Sequence, residues 1–476
     1  MHHSKLLQQL KLLDAAELKR LFQFLKSPFY NANPHIIKLY LLLRKEHPTF
    51  SSPKLTREKV FKKLFPDRKY DHQKLLNLMS DFTKLLKKYL QVLQLEKEEE
   101  TQKQLLLRGY AERPGCYDIF VKQYQKTKQS LDALPHQDVS FFQHHFQLHK
   151  LYFNHPATDK FQLAKEQYDE AMDQLDRWYI LEKMLLSCEM KAREKPLSEQ
   201  YDIWLLPEIS TKITQTPTGN PMETTYLEML NLLEQEGATV YFKLKALFLE
   251  RFPLFTRLQQ QNILQSLINF TIRQGNQGQA EFLRENLELY QFGLQEQLFL
   301  ERSLLNDMVY LSIVNVALRT EAIEWCLGFI DQYAAHLTAS VREDAKSLAT
   351  ALWFYATDQP NDAIDLLLQV DFVNVYYQIQ ARVLLIKVYF EVFQQDDEYF
   401  NFVTSQANAF ERFLQRNKRV SKNQKSALLN FTACVRKLAK WKMEKQLQEV
   451  TVSKLKTEIR ELHPLYNKGW VLEQIN

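Results

Sequence analysis

His145 and His149 stand four apart on an expected helix, with His144 beside them, an interval that lets two imidazoles reach one zinc ion. The glutamate that a metalloprotease places within such a pair is missing, and Phe141, Phe142 and Phe146 surround it. Histidines held in a core or on a surface are therefore expected, and no metal. Two basic stretches are the other candidates. In the helix expected from Asp71, Lys74, Lys84, Lys87 and Lys88 could meet phosphates while His72, Gln73 and Asn77 meet base edges. Towards the other end, Arg412, Arg416, Lys418, Arg419, Lys422 and Lys425 form a run. It is followed by Arg436, Lys437, Lys440 and Lys442 beside Trp441, a mixture suited to RNA or an acidic partner. The plainer reading of both stretches is a solvated cationic face on a helical cap.

No phosphate loop, dinucleotide fingerprint, nucleophile elbow or kinase signature occurs in the sequence. No catalytic residue and no cofactor is expected. Glycine points the same way, with nine in 476 residues against an average near 7%. Folds that cradle phosphates or turn many tight hairpins consume glycine. Cys116, Cys188, Cys326 and Cys434 are scattered, without the close pairing of zinc or thiol-redox motifs, and are expected to be reduced. Lys5, Lys11, Asp14 and Glu17 interrupt the first twenty residues, so no signal peptide is read there. The longest strongly apolar run, Met308 to Leu318, falls well short of the roughly 20 residues a membrane span needs. A cytoplasmic protein without a membrane span is expected.

Charge is unevenly spread. Met1 to Leu95 holds 19 Lys and Arg against 7 Asp and Glu, and Ala409 to Trp470 holds 15 against 5. With a net charge of only +5, the middle of the chain must be acidic.

Periodicity supplies the elements that would position these residues. Asp14 is a cap candidate, and Ser27 to Pro34 is a turn dense in Pro and Asn. Pro34 opens a helix, Thr56 caps a short one, and Asp71 caps a long one whose Leu75, Leu78, Phe82, Leu85, Tyr89 and Val92 follow one seam. Nothing between Glu96 and Lys103 breaks that helix, which could run to Leu107. Thr211 to Thr225, rich in Thr, Pro, Gly and Asn, reads as a long loop. From Ala345 to Gln415 the pattern is helix, tight turn, helix, repeated.

Breaks at Gln274 to Gln279, at Arg319-Thr320-Glu321, at Thr357 to Asn361 and at Gln394 to Asp397 each precede a second helix. Ala280, Ala322, Ala363 and Tyr399 follow them at separations of 42, 41 and 36. One hairpin, with Ala351, Phe354, Ala363 and Leu367, resembles the tetratricopeptide pattern, whose period is 34. That resemblance implies a fold and carries no site. The whole chain also resembles a family of bacterial all-helical proteins, through Leu25-Lys26-Ser27-Pro28-Phe29-Tyr30-Asn31, Lys63-Leu64-Phe65-Pro66 and Tyr466-Asn467-Lys468-Gly469-Trp470. It brings no activity with it. Leu55 to Leu90 is similar to the helix-turn-helix core of winged-helix transcriptional activators that carry helical repeats, although no strand pair for a wing follows Leu90.

The expected fold is all-α: a right-handed α-solenoid of degenerate tetratricopeptide-like hairpins behind an N-terminal helical domain. Its expected parts are a basic N-terminal domain over 1–108, hairpins over 109–210, a loop over 211–225, repeats over 226–440 and a C-terminal cap over 441–476. The function expected of it is that of an intracellular scaffold or adaptor, not an enzyme, binding another protein or peptide in a groove. The alternative is a nucleic-acid-associated regulator using the basic ends.

Overall fold

A computed structural model of the chain describes residues 4–53, 55–159, 163, 165–197, 199–217, 219–235, 237–417, 419–443 and 449–475. It divides into two units, Met1–Leu181 and Glu182–Asn476. The division falls inside one long helix.

In the first unit the helices are α1 (Lys5–Leu10), α2 (Ala15–Lys26), α3 (Pro34–Arg44), α4 (Arg57–Leu64), α5 (His72–Leu95), α6 (Glu99–Ala111), α7 (Tyr117–Asp132) and α8 (Val139–Phe153). Then comes α9 (Lys165–Leu197), the helix shared by both units. Local chemistry sets their starts. Asp14 and Glu17 form a reciprocal capping box on α2, each side chain accepting the other's backbone N–H at 2.8 and 3.0 Å. Asn33, Thr56 and Asp71 cap α3, α4 and α5. The Ser27 to Pro34 turn is organised by Asn31, whose amide donates to the Leu25 carbonyl at 2.9 Å and whose Oδ1 accepts from Asn33 N–H at 2.9 Å.

Of the expected seam of α5, Leu75, Leu78, Phe82 and Tyr89 are buried, with Met79, Leu86 and Leu93, in one core with residues of α1 to α4, while Leu85 and Val92 are only half-buried at its edge. The helix does not run to Leu107. It stops at Leu95, where the Gln102 side chain donates to the Leu95 carbonyl at 2.8 Å, and α6 begins afresh at Glu99. The boundary expected at residue 108 lies within α6. A second core, around Leu107, Phe120, Tyr124, Leu131 and Leu148, joins α6, α7 and α8.

In the second unit follow α10 (Leu206–Gln215), α11 (Pro221–Gln235), α12 (Ala238–Glu250), α13 (Arg257–Asn276) and α14 (Ala280–Gln295). After them come α15 (Asp307–Arg319), α16 (Ile323–Tyr333), α17 (Arg342–Ala356), α18 (Pro360–Gln369), α19 (Val375–Phe393) and α20 (Phe400–Arg416). The chain ends in α21 (Lys422–Met443), α22 (Glu449–Glu461) and α23 (Lys468–Glu473). The strands among the described residues are two residues each, Leu300–Glu301 paired antiparallel with Leu304–Leu305.

The expected loop over 211–225 is overturned. Its two ends are helical: α10 runs to Gln215 and α11 starts at Pro221, with the described residues 216, 217, 219 and 220 outside both. Thr211, Thr214 and Thr225 return their hydroxyls to the carbonyls of Pro207, Ser210 and Pro221 at 2.7 to 2.8 Å. Asn220 accepts from Met222 N–H at 2.8 Å, so the residues that resemble a loop in composition serve as caps and as back-bonded helix.

Successive helices pack on one another in pairs: α11 on α12, α13 on α14, α15 on α16, α17 on α18, and α19 on α20. Three of the turns inside these pairs have the same backbone. Gln279 N–H donates to Gln274 O at 3.2 Å, Ala322 to Ala317 at 2.9 Å and Gln359 to Phe354 at 2.9 Å. In each, the preceding residue is left-handed: Gly278 at φ 92°, Glu321 at 61° and Asp358 at 57°. This six-to-one closure ends the first helix and reverses the chain within a few residues. Among the described residues no helix is long and apolar enough to cross a membrane.

Candidate functional site

The capped start of α5 faces the end of α4 and the start of α3 across an open cleft of about 560 Å³. His35 and Lys38 of α3, Arg68 of the α4–α5 connection, and Lys74 of α5 line it, with Asp67 and Asp81 among them. Burial, together with Lys38, Lys74 and Arg68, lowers the proton affinity of His35, so the imidazole is neutral at pH 7 and the cleft's positive charge comes from its Lys and Arg.

The structure therefore brings only part of the expected nucleic-acid surface together. Lys74 lies at the cleft, its ammonium 4.6 Å from the centre of the Phe65 ring. Lys84 is paired with Asp81 at 3.0 Å, and Lys88 lies 5.1 Å from the centre of the Tyr30 ring. Lys87 is exposed. The intended base readers are engaged with one another or with neighbours: Gln73 Nε2 donates to Asn77 Oδ1 at 2.9 Å, and His72 Nδ1 is 3.0 Å from the Tyr70 hydroxyl. The element after α5 is helix α6, where a winged-helix protein would place strands.

At the C-terminal basic run, Arg416 closes α20, Lys422 opens α21, and both are exposed, as is Arg419 between them. Lys418 lies outside the described residues. Several cations counted with this run are used within the fold. Lys425 donates to the Gln415 carbonyl at 3.1 Å, Arg436 pairs with Glu411 at 2.5 Å, and Lys437 pairs with Glu458. Lys442 lies 5.3 Å from the centre of the Phe390 ring. What stays open is a short cationic corner between two helices rather than a continuous stripe.

The histidines belong to the core. His145 and His149 are 2% and 1% exposed. His145 Nε2 lies 3.4 Å from Asp132 Oδ1, and His149 Nε2 lies 3.8 Å from Glu170 Oε1. Between the two carboxylates sits the Lys128 ammonium, 2.9 Å from Glu170 and 3.7 Å from Asp132. Burial drives both imidazoles towards the neutral form, His145 down to about 4. Among the described residues no group of three His, Cys, Asp or Glu is arranged to hold a metal. Of the three neighbouring histidines, His144 is bonded to Gln104, whose Nε2 lies 3.0 Å from its Nδ1.

One group missed from the sequence stands out in the second unit. Lys387, on the largely buried helix α19, lines a separate pocket with Tyr466 and Asn467 of the C-terminal segment. Nothing in its local sequence distinguishes it from a surface lysine, because the segment that covers it lies about eighty positions further on. Comparisons with protein-family models, curated proteins and solved structures found no match.

Proposed function

We propose that the chain is a non-enzymatic intracellular scaffold whose stacked hairpins form a degenerate tetratricopeptide-like, right-handed α-solenoid that grips another protein or peptide. The observation that carries this reading is the recurrence of one turn geometry at Gly278, Glu321 and Asp358, 43 and 37 positions apart, between helices packed as neighbours. Units of this kind bury their apolar stripes against each other and leave an extended outer surface for a partner. Leu258, Leu368 and Phe402 are exposed on α13, α18 and α20, where apolar anchors for such a partner would be needed. The test is cross-linking of the tagged full chain in its native cells, followed by mass spectrometry. A stoichiometric partner cross-linked to residues 226–440 is expected; a monomer without cross-linked partners removes the reading.

A second reading, a nucleic-acid-associated regulator, draws on the cationic cleft at Lys38, Arg68 and Lys74 and on exposed Lys87 nearby on α5. Binding to duplex DNA over a salt series tests it. Each phosphate contact contributes about 0.9 to the slope of log affinity against log salt. Replacing Lys74, Lys87 and Lys88 together by alanine then lowers that slope by about 2 to 3. Unshifted DNA at low salt removes this reading.

A further inference from the structure

Helix α19 presents Gln380, Val383, Leu384 and Lys387 along one stripe to a cavity of about 280 Å³ in the second unit. Leu311 of α15 and Leu348 and Leu352 of α17 supply an apolar wall. Tyr466 and Asn467 line a further side. This C-terminal piece is firmly attached. Tyr466 N–H donates to the Ala427 carbonyl at 3.2 Å, its hydroxyl exchanges hydrogen bonds with the Gln380 amide at 2.9 and 3.1 Å, and Trp470 Nε1 reaches Glu391 Oε1 at 3.3 Å. The cavity is therefore a built feature, shaped by elements more than a hundred positions apart in sequence.

Its charge is unbalanced. The lining holds one cation, Lys387, and no carboxylate. Among the described residues Lys387 makes no ion pair, and its ammonium lies over the Trp470 ring, 5.2 Å from the ring centre. Glu391, one turn along, has its Oε1 taken by the Tyr355 hydroxyl and the Trp470 indole. Burial pushes the Lys387 ammonium down to about 8, against the pull of Glu391 and Glu473. An ammonium held half-buried beside apolar walls without an ion-pair partner is costly to keep charged, and an anion entering the cavity would relieve that cost.

We propose that this cavity binds a small organic carboxylate with an apolar tail, its carboxylate on the Lys387 ammonium and its tail against Leu311, Leu348 and Leu352. Ligand cavities begin at about 300 Å³, so the volume suits a short aliphatic acid or the last residue of a peptide rather than a nucleotide. The free acid and the chain terminus share this chemistry. The site does not depend on whether the hairpins hold a protein.

The test uses the full chain and titrates hexanoate by calorimetry, with the Trp470 indole N–H resonance as a local reporter. Hexanol is the uncharged control. Saturable hexanoate binding that shifts the Trp470 signal is expected, with at least about a tenfold loss in Lys387→Met, the scale of a lost charge-assisted contact. Leu348→Phe fills the apolar wall while keeping the ammonium, and weakens hexanoate as well. Circular dichroism spectra confirm that both variants are folded. Acetyl-Ala-Ala-Leu as free acid and as amide separates the two sources. An acid that outbinds hexanoate identifies a chain terminus, and one that binds less tightly identifies a free acid. No saturable hexanoate binding, equal binding by hexanol or by the amide, or unchanged affinity in Leu348→Phe overturns the proposal.

Discussion

The Tyr241 hydroxyl donates to Glu285 Oε2 at 2.6 Å, and the Lys245 ammonium reaches the same oxygen at 2.5 Å, tying α12 to α14 beside α13. Tyr241 is fully buried, and burial with the Glu285 carboxylate raises its phenol far above the ordinary range, so the proton stays on the tyrosine. Glu285→Ala strands the buried Tyr241 hydroxyl and leaves the Lys245 ammonium only the more exposed Glu288, 3.0 Å away. A loss of about 2 to 3 kcal/mol is expected by urea unfolding. Tyr241→Phe keeps the ring and the Lys245 pair and costs only about 1 kcal/mol. Equal losses in the two variants would mean that the carboxylate is not the shared anchor.

The three like turns predict opposite signs for opposite changes. At Gly278 the left-handed backbone is free of strain, and Gly278→Ala is expected to cost about 1 kcal/mol. At Glu321 a side chain already sits in that region, so Glu321→Gly is expected to stabilise by up to about 1 kcal/mol. Thermal unfolding of the two variants side by side checks it.

Gly293 is a different case, set by space and not by φ. A Cβ there would collide with Phe299 Cε2 and stand 2.8 Å from Leu264 Cδ2. Gly293→Ala in a helix interior would normally help by about 0.5 to 1 kcal/mol. Here overpacking is expected to win, with a net loss of about 1 to 3 kcal/mol read from the denaturation midpoint.

His145 predicts the pH dependence of the first unit. Its folded-state value, about 4, lies below the ordinary histidine value of 6.5, so the unfolded chain takes up the proton first as pH falls. Its share of stability is fully present above pH 6.5 and is lost progressively down to about pH 4, an amount of about 3 kcal/mol. His145→Leu should flatten the slope of unfolding free energy against pH across that window. A slope identical to wild type would show that the imidazole is solvated in the folded state.

Helices were legible wherever a cap and a 3.6-residue stripe agreed, as at Asp14, Thr56 and Asp71, because those signals act within one turn of the chain. The hairpin breaks near Gly278, Glu321 and Asp358 were legible for the same reason. The break at Glu96 was not, since it involves a side chain seven positions away, Gln102, reaching back to the Leu95 carbonyl. Thr211 to Thr225 misled because Thr and Asn cap and back-bond helices with the same hydroxyls and amides that make turns.

Composition and periodicity by themselves determined that this chain is helical, that neighbouring helices pair, and that both ends are basic, since each follows from residues close in sequence. Tertiary structure alone decided what those charges meet. It set Lys128 between Asp132 and Glu170 beside two core histidines, and it placed Lys387 in a cavity with Tyr466, against the Trp470 ring and in no ion pair among the described residues. The physical reason is that a side chain's electrostatic surroundings are built from segments that only the folded backbone brings together.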